Sequence, residues 1–167
     1  MNTGAKVSIK DLRCVDLFAG LSDQELENIA KACILRRYKP GEYCAIENET
    51  TDELLIVNEG TVAIEMRCKH THDCFAQALG IGTLTKGNVV SWSALVEPHV
   101  LAGSARCIEE VQIISIKASD LQLVFRERPS IEPVVMKNLA TIINSRLTKC
   151  RAHLAGLVTE MINQGTT

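Results

Sequence analysis

Four side chains able to hold a metal stand at every second position of Cys68-Lys69-His70-Thr71-His72-Asp73-Cys74. On a continuous strand Cys68, His70, His72 and Cys74 share one face. Thiolates and imidazoles suit zinc and other first-row metals. Structural zinc sites, however, space their cysteines as short C-x-x-C pairs, and this segment lies where a hairpin must turn. The competing reading is a polar hairpin tip whose cysteines end the flanking strands. Cys150 is the second thiol of interest, because it falls on a helical seam where it would face its own copy in a parallel dimer. The other reading of Cys150 is a small seam residue in a reducing compartment.

No catalytic constellation accompanies these groups. A nucleophile elbow, a Walker loop and a zinc-hydrolase helix are all missing, and His99 and His153 have no partner at a useful local spacing. A non-enzymatic protein is expected. The 167 residues suit one domain, long enough to bury a core without disulfides or metal. Hydrophobic content of 46% excludes disorder. The net charge of −2 comes without the concentrated basic face of a DNA-binding domain. Lys137, Arg146, Lys149 and Arg151 read as a solvated helix face. Seven scattered cysteines argue against a secreted disulfide framework and are read mostly as small buried hydrophobes. The polar N-terminus is no signal peptide, and no run approaches the roughly 18 apolar residues of a membrane span. A soluble, cytoplasmic chain with no membrane contact is expected.

The elements that would position these groups follow from period and punctuation. Ser22-Asp23-Gln24-Glu25 is a capping box, with Leu21 and Leu26 as a hydrophobic staple. Leu26, Ile29, Ala30 and Cys33 form an apolar stripe at helical spacing. After Tyr38, Lys39-Pro40-Gly41-Glu42 signals a turn. From Tyr43 to Ile116 short β-rich runs alternate with turn residues: Leu54–Val57, the period-two run Val62, Ile64 and Met66, a strand holding Leu79 and Ile81, and Val111–Ile116. Such a series indicates a sandwich or barrel. Ser119-Asp120-Leu121-Gln122 reads as a second capping box. Ser130 reads as the cap of a last helix, with Pro133 in its first turn.

That helix carries a heptad seam: Met136, Ala140, Ile143, Leu147, Cys150, Leu154, Leu157 and Met161 alternate spacings of four and three. A helix of about 30 residues is roughly 45 Å long, more than a core of this size can cover. Part of the seam must find another partner, and a parallel homodimer is the simplest solution.

Three features in this order resemble the cyclic-nucleotide-binding domain, the sensor module of the cAMP receptor protein superfamily. The first is the helical lead-in LFAGLSDQELENIA (17–30). The second is KPGEYCAIENETTDELLIVNEGTVAI (39–64), with its Pro-Gly-Glu turn. The third is LTKGNVVSWSALVEPHVLAGSARC (84–107), which looks like the family's phosphate-binding cassette, followed by VQIISIKASDL and the long helix. The resemblance implies a mainly β fold with flanking helices: an antiparallel, jelly-roll-like β-roll over residues 1–130 with a C-terminal dimerisation helix over 131–165. Transcription factors of the superfamily continue into a helix-turn-helix. The chain ends a few residues after Met161, so a stand-alone sensor without direct DNA binding is expected.

The cassette departs from the family pattern where ligand chemistry is needed. Ser91-Trp92 stands where a Gly-Glu pair grips the ribose, and Leu101 stands near the Arg that pairs with the cyclic phosphate. An indole N–H only donates and cannot receive a ribose hydroxyl. A buried anion without its cation loses roughly 3 kcal/mol or more. The usual cAMP mode is therefore not expected. Arg106 is the nearest cation, on a strand that could point it either way. The pocket around Val90, Ser91, Trp92, Ser93, Ala94, Leu101 and Ala102 is then either kept for a more apolar or smaller ligand, or filled by Trp92, Leu95, Val96 and Leu101. The expected role is a dimeric regulatory sensor acting through protein partners. The alternatives are an interaction module with a filled pocket, or a metal or redox sensor through Cys68–Cys74.

Overall fold

The computed structural model of the chain describes residues 6–67 and 78–164. Eight strands form two four-stranded antiparallel sheets. β1 (Cys33–Tyr38), β8 (Val111–Lys117), β3 (Glu53–Glu59) and β6 (Val89–Ser91) lie in that order in one sheet. β2 (Tyr43–Ala45), β7 (Ser104–Cys107), β4 (Val62–Arg67) and β5 (Ala78–Leu84) lie in that order in the other. The helices are α1 (Ile9–Arg13), α2 (Asp23–Lys31), α3 (Ala118–Glu127) and α4 (Ile131–Gln164), with 3-10 turns at Asp16–Phe18 and Ser93–Leu95. This is the β-roll with flanking helices and a long last helix that the sequence predicts. Among the described residues no helix is long and apolar enough to cross a membrane.

The first sheet has no solvent face over its centre, which is why its strands read as unbroken apolar runs. Along β3 and β8, Leu54, Ile56, Ile114 and Ile116 point to the helices. Leu55, Val57, Val111 and Ile113 point between the sheets. The second sheet buries one face. Val62, Ala105 and Cys107 join the inner cluster, while Tyr43, Ala63 and Arg106 stand opposite one another on the outer side. Between β4 and β5 the register shifts at Ile64 and Glu65, with the extra residue, Ile81, in β5. β4 keeps its alternation against β7, so Glu65 stands on the outer side with Ala63, where Tyr43 and Arg106 cover it, and Met66 is exposed.

Several local expectations hold and others are corrected. The Ser22 capping box forms in both directions, and Leu26, Ile29 and Ala30 are buried. Cys33 does not continue α2; it opens β1, which pairs with β8 from Cys33↔Ile116 to Tyr38↔Val111. The β-region thus begins ten residues before Tyr43, the point at which the sequence places its start. The capping box at Ser119 does not form. The Ala118 N–H donates to the Asp52 carbonyl, so β8 runs directly into α3. Lys117 then sits at the cap position without a side-chain bond. Ser130 precedes α4, and its hydroxyl donates to Glu25 Oε1 at 2.7 Å. This contact holds Glu25 below the usual carboxylate range, helped by Ser22.

α4 meets the core through Ile131, Val135 and Leu139, all nearly inaccessible, with Met136, Ile142 and Ile143 beside them. Asn138 fixes the angle of approach by donating to the carbonyls of Leu17 and Ala19 at 3.0 and 2.9 Å. Past Arg146 the helix leaves the core. Of the heptad positions, Met136 and Ile143 are half-buried, Leu157 is partly covered, and Ala140, Leu147, Cys150, Leu154 and Met161 are exposed.

Burial pushes the Cys33 and Cys44 thiols from 9.0 up to about 12. As pH rises past the ordinary thiol value, the unfolded chain loses these protons while the folded chain keeps them. Stability is therefore full below that value and falls as pH climbs toward the folded one. The urea midpoint of the wild type should drop more steeply between about pH 8 and about pH 10 than that of Cys44→Ala. Equal slopes would refute the assignment for Cys44.

Candidate functional site

The cassette starts at the turn Thr85–Asn88. The Asn88 side chain accepts from the Thr85 N–H at 3.1 Å, and two backbone bonds join Gly87 and Asn88 to Val57. Gly87 has φ +85°, and a Cβ there would stand 2.0 Å from the Cys14 carbonyl oxygen. Only glycine fits that left-handed position against α1. β6 then pairs with β3, placing Val89 opposite Ile56 and Ser91 opposite Leu55. After the 3-10 turn, the chain returns along residues 48–51. Leu101 exchanges two backbone bonds there, its N–H to Glu49 and its carbonyl from Asn48, both at 2.9 Å.

The candidate pocket residues do not converge on one space. Val90 and Leu101 are buried in the inner cluster between the sheets. Trp92 and Leu95 pack instead on the helix-side cluster. Ser91 and Ala94 are buried, Ser93 is partly covered, and Val96 and Ala102 are exposed. Trp92, Leu95, Val96 and Leu101 therefore do not form a single plug. The Ser91 hydroxyl is enclosed without a hydrogen-bond partner among the described residues.

The two cations near the cassette go opposite ways. Arg106 points out of the roll, as its neighbours Ala105 and Cys107 point in. Its Nε donates to Glu65 Oε1 at 2.7 Å, and the Tyr43 hydroxyl donates to Glu65 Oε2 at 3.0 Å. The buried Glu65 is thus satisfied on the outer face. Arg146, which the sequence reading placed on a solvated face, is the candidate site residue that reading missed. Its guanidinium lies 4.5 Å from the centre of the Trp92 ring and donates through Nη2 to the Val89 carbonyl. Burial lowers its pKa to about 10, so it is charged at neutral pH. The missed signal was spacing. Ile131, Val135, Leu139 and Ile142 run at steps of four, four and three, and one more step of four reaches Arg146.

Cys68, His70, His72 and Cys74 lie outside the described residues. Cys150 is exposed on α4. His99 takes a positive φ of 60°, and its Nδ1 lies 2.9 Å from the Ser93 carbonyl, inside the cassette.

A family model described as Cyclic nucleotide-binding domain matches residues 35–128. No curated protein shows significant sequence similarity to the chain. Among solved structures, a candidate cyclic nucleotide-binding protein from Geobacter metallireducens GS-15 is similar at TM-score 0.68 and 24% identity, covering 84% of this chain and 98% of that one. A cyclic nucleotide-binding domain from Methylobacillus flagellatus KT reaches TM-score 0.76 at 12% identity, covering 89% of this chain and 80% of its own. The regulatory subunit of a cAMP-independent protein kinase A from Trypanosoma cruzi, bound to guanosine, gives 0.68 at 20%, covering 91% of this chain and half (50%) of that one.

Replacing Gly87 tests the turn that seats the cassette. Gly87→Ala should lower stability by about 2 kcal/mol or more. Gly41→Ala, at φ +84° with open space around it, should cost about 1 kcal/mol. Equal urea midpoints for the two variants would contradict the close approach to Cys14.

Proposed function

Because the chain belongs to the cyclic nucleotide-binding domain family, we propose that it is a regulatory module that does not grip a cyclic phosphate. Its roll (residues 1–130) takes an uncharged, nucleoside-like ligand, and its last helix (131–165) carries the response. The observation that carries this reading is the burial of Leu101 in the inner cluster while Arg106 is turned outward onto Glu65. Among the described residues no Lys or Arg is buried, so none stands in the inner core to meet an anion. A phosphate there would lose its charge-assisted bonds and keep its desolvation cost. A ligand without charge avoids that cost. The guanosine held by the Trypanosoma cruzi structure is a ligand of this class on a similar fold. The enclosed Ser91 hydroxyl supplies a polar group for it.

The link to the helix is Arg146. It touches Trp92 and Val89, both in the cassette, and it belongs to α4. A shift of the cassette alters the packing of the helix at that point. Beyond it, Leu147, Cys150, Leu154, Leu157 and Met161 form the face on which a second copy pairs in parallel, and protein partners read the pair.

Thermal unfolding with guanosine, adenosine and cAMP tests the ligand class. Guanosine or adenosine at about 100 times its Kd should raise stability by about 2.7 kcal/mol, with no shift from cAMP. Leu101→Arg, which puts a cation on the inner side, should gain a shift with cAMP. A cAMP shift in the wild type would overturn the reading, as would silence from both nucleosides.

Sedimentation equilibrium tests the helix. The wild type should be a dimer whose dissociation constant rises by about tenfold or more in Leu147→Lys/Leu154→Lys, since burying each of these leucines in the seam stabilises the pair by over about 1.4 kcal/mol. A wild-type monomer at all concentrations would remove the dimer.

A further inference from the structure

A groove of about 440 Å³ runs between α4 and the outside of the roll, a size typical of small-molecule sites. It is separate from the space between the sheets. α4 lines it with Ser145, Arg146 and Lys149, while the first 3-10 turn and the β5–β6 turn add Asp16 and Asn88. Asn88 Nδ2 donates to Asp16 Oδ2 at 3.2 Å, which sets the position of that carboxylate.

Arg146 is the unusual member. A guanidinium carries five N–H donors. Among the described residues the Val89 carbonyl is its one hydrogen-bond acceptor, and none of the ion pairs includes it. Covering a cation without an opposite charge costs stability. The Trp92 face offsets part of that cost. An anion bound beside it offsets the rest, and Lys149, one turn further along the same helix, supplies a second positive charge.

A bare anion meets Asp16 as a like charge. A ligand that is anionic at one end and rich in hydroxyl donors at the other satisfies both walls, because a carboxylate only accepts hydrogen bonds. We infer that this groove is a second ligand site, for a small phosphorylated sugar. Arg146 and Lys149 take the phosphate, and Asp16, Asn88 and Ser145 take the hydroxyls. Since Arg146 also touches Trp92, occupancy of the groove reaches the cassette from its outer side.

Trp92 is the only tryptophan of the chain and lies against the proposed phosphate site, so its emission reports on binding. The full chain is titrated with ribose 5-phosphate, and in parallel with ribose and inorganic phosphate. Calorimetry on the same samples catches binding that leaves emission unchanged. Ribose 5-phosphate should give a saturable response at least about tenfold tighter than inorganic phosphate, with none from ribose. Lys149→Ala, on an exposed position, and Arg146→Met should each weaken it by about tenfold or more. Leu101→Met, in the inner cluster, should leave it unchanged, which separates this site from the nucleoside site of the roll. The inference fails if ribose 5-phosphate does not saturate by either readout. It fails equally if inorganic phosphate binds as tightly, or if folded Lys149→Ala binds like the wild type.

Discussion

Strands β3 and β8 are buried on both faces, and the rest of the structure is arranged around that constraint. A strand with an apolar side chain on each side of the pleat must be covered twice. The second sheet covers one face, and α1 to α4 cover the other. Fully buried side chains such as Ile56, Ile114 and Ile116 contribute on the order of 2 kcal/mol each. Because β6 is the neighbour of β3, the cassette sits at the edge of this doubly covered sheet, with one part of its surface toward the inner cluster and another toward the helices. The partition of Leu101 and Trp92 between the two clusters follows from that position.

Charge placement around the cassette follows the same division. The inner side is apolar, with no buried Lys or Arg among the described residues. Arg106 is turned outward onto Glu65, and Arg146 is delivered by α4 to the helix side, against the Trp92 ring and the Val89 carbonyl. An indole in place of a carboxylate makes this possible. A carboxylate has no flat face on which a guanidinium can stack, whereas an indole offers a broad one. The family fold is retained, and a guanidinium stacks on the outer side of the cassette.

The fold was legible because its signals are local and consistent. The Ser22 capping box, the turn at Gly41, and the strands around Leu54–Val57 and Val111–Ile116 all stand where the sequence puts them. The misses have separate physical causes. β1 was hidden because CILRRY is an edge strand with arginines at its centre, and its pairing with β8 is a long-range fact. Ser119 carries a capping sequence, but the bond from Ala118 to Asp52 starts the helix earlier, so tertiary contact overrode the local motif. The burial of Glu65 could not be read because its cover, Tyr43 and Arg106, comes from two other strands. At the site, the absence of the expected Glu and Arg was visible in the sequence. The arrival of Arg146 was not read, because the apolar stripe that leads to it was eclipsed by the longer heptad seam on a neighbouring face.

The way α4 is fastened has a mechanical meaning. Ile131, Val135, Asn138 and Leu139 grip its first turns, and from Leu147 to Gln164 the helix runs on past them for about 27 Å. A rigid rod held near one end works as a pointer. A tilt of about 5° at the hold carries its far end through roughly 2 Å, with the helix itself unchanged at its 1.5 Å rise. Sub-ångström adjustments where the rod meets the roll therefore become displacements comparable to a bond length or more at its far end, without any step in between that bends or unwinds.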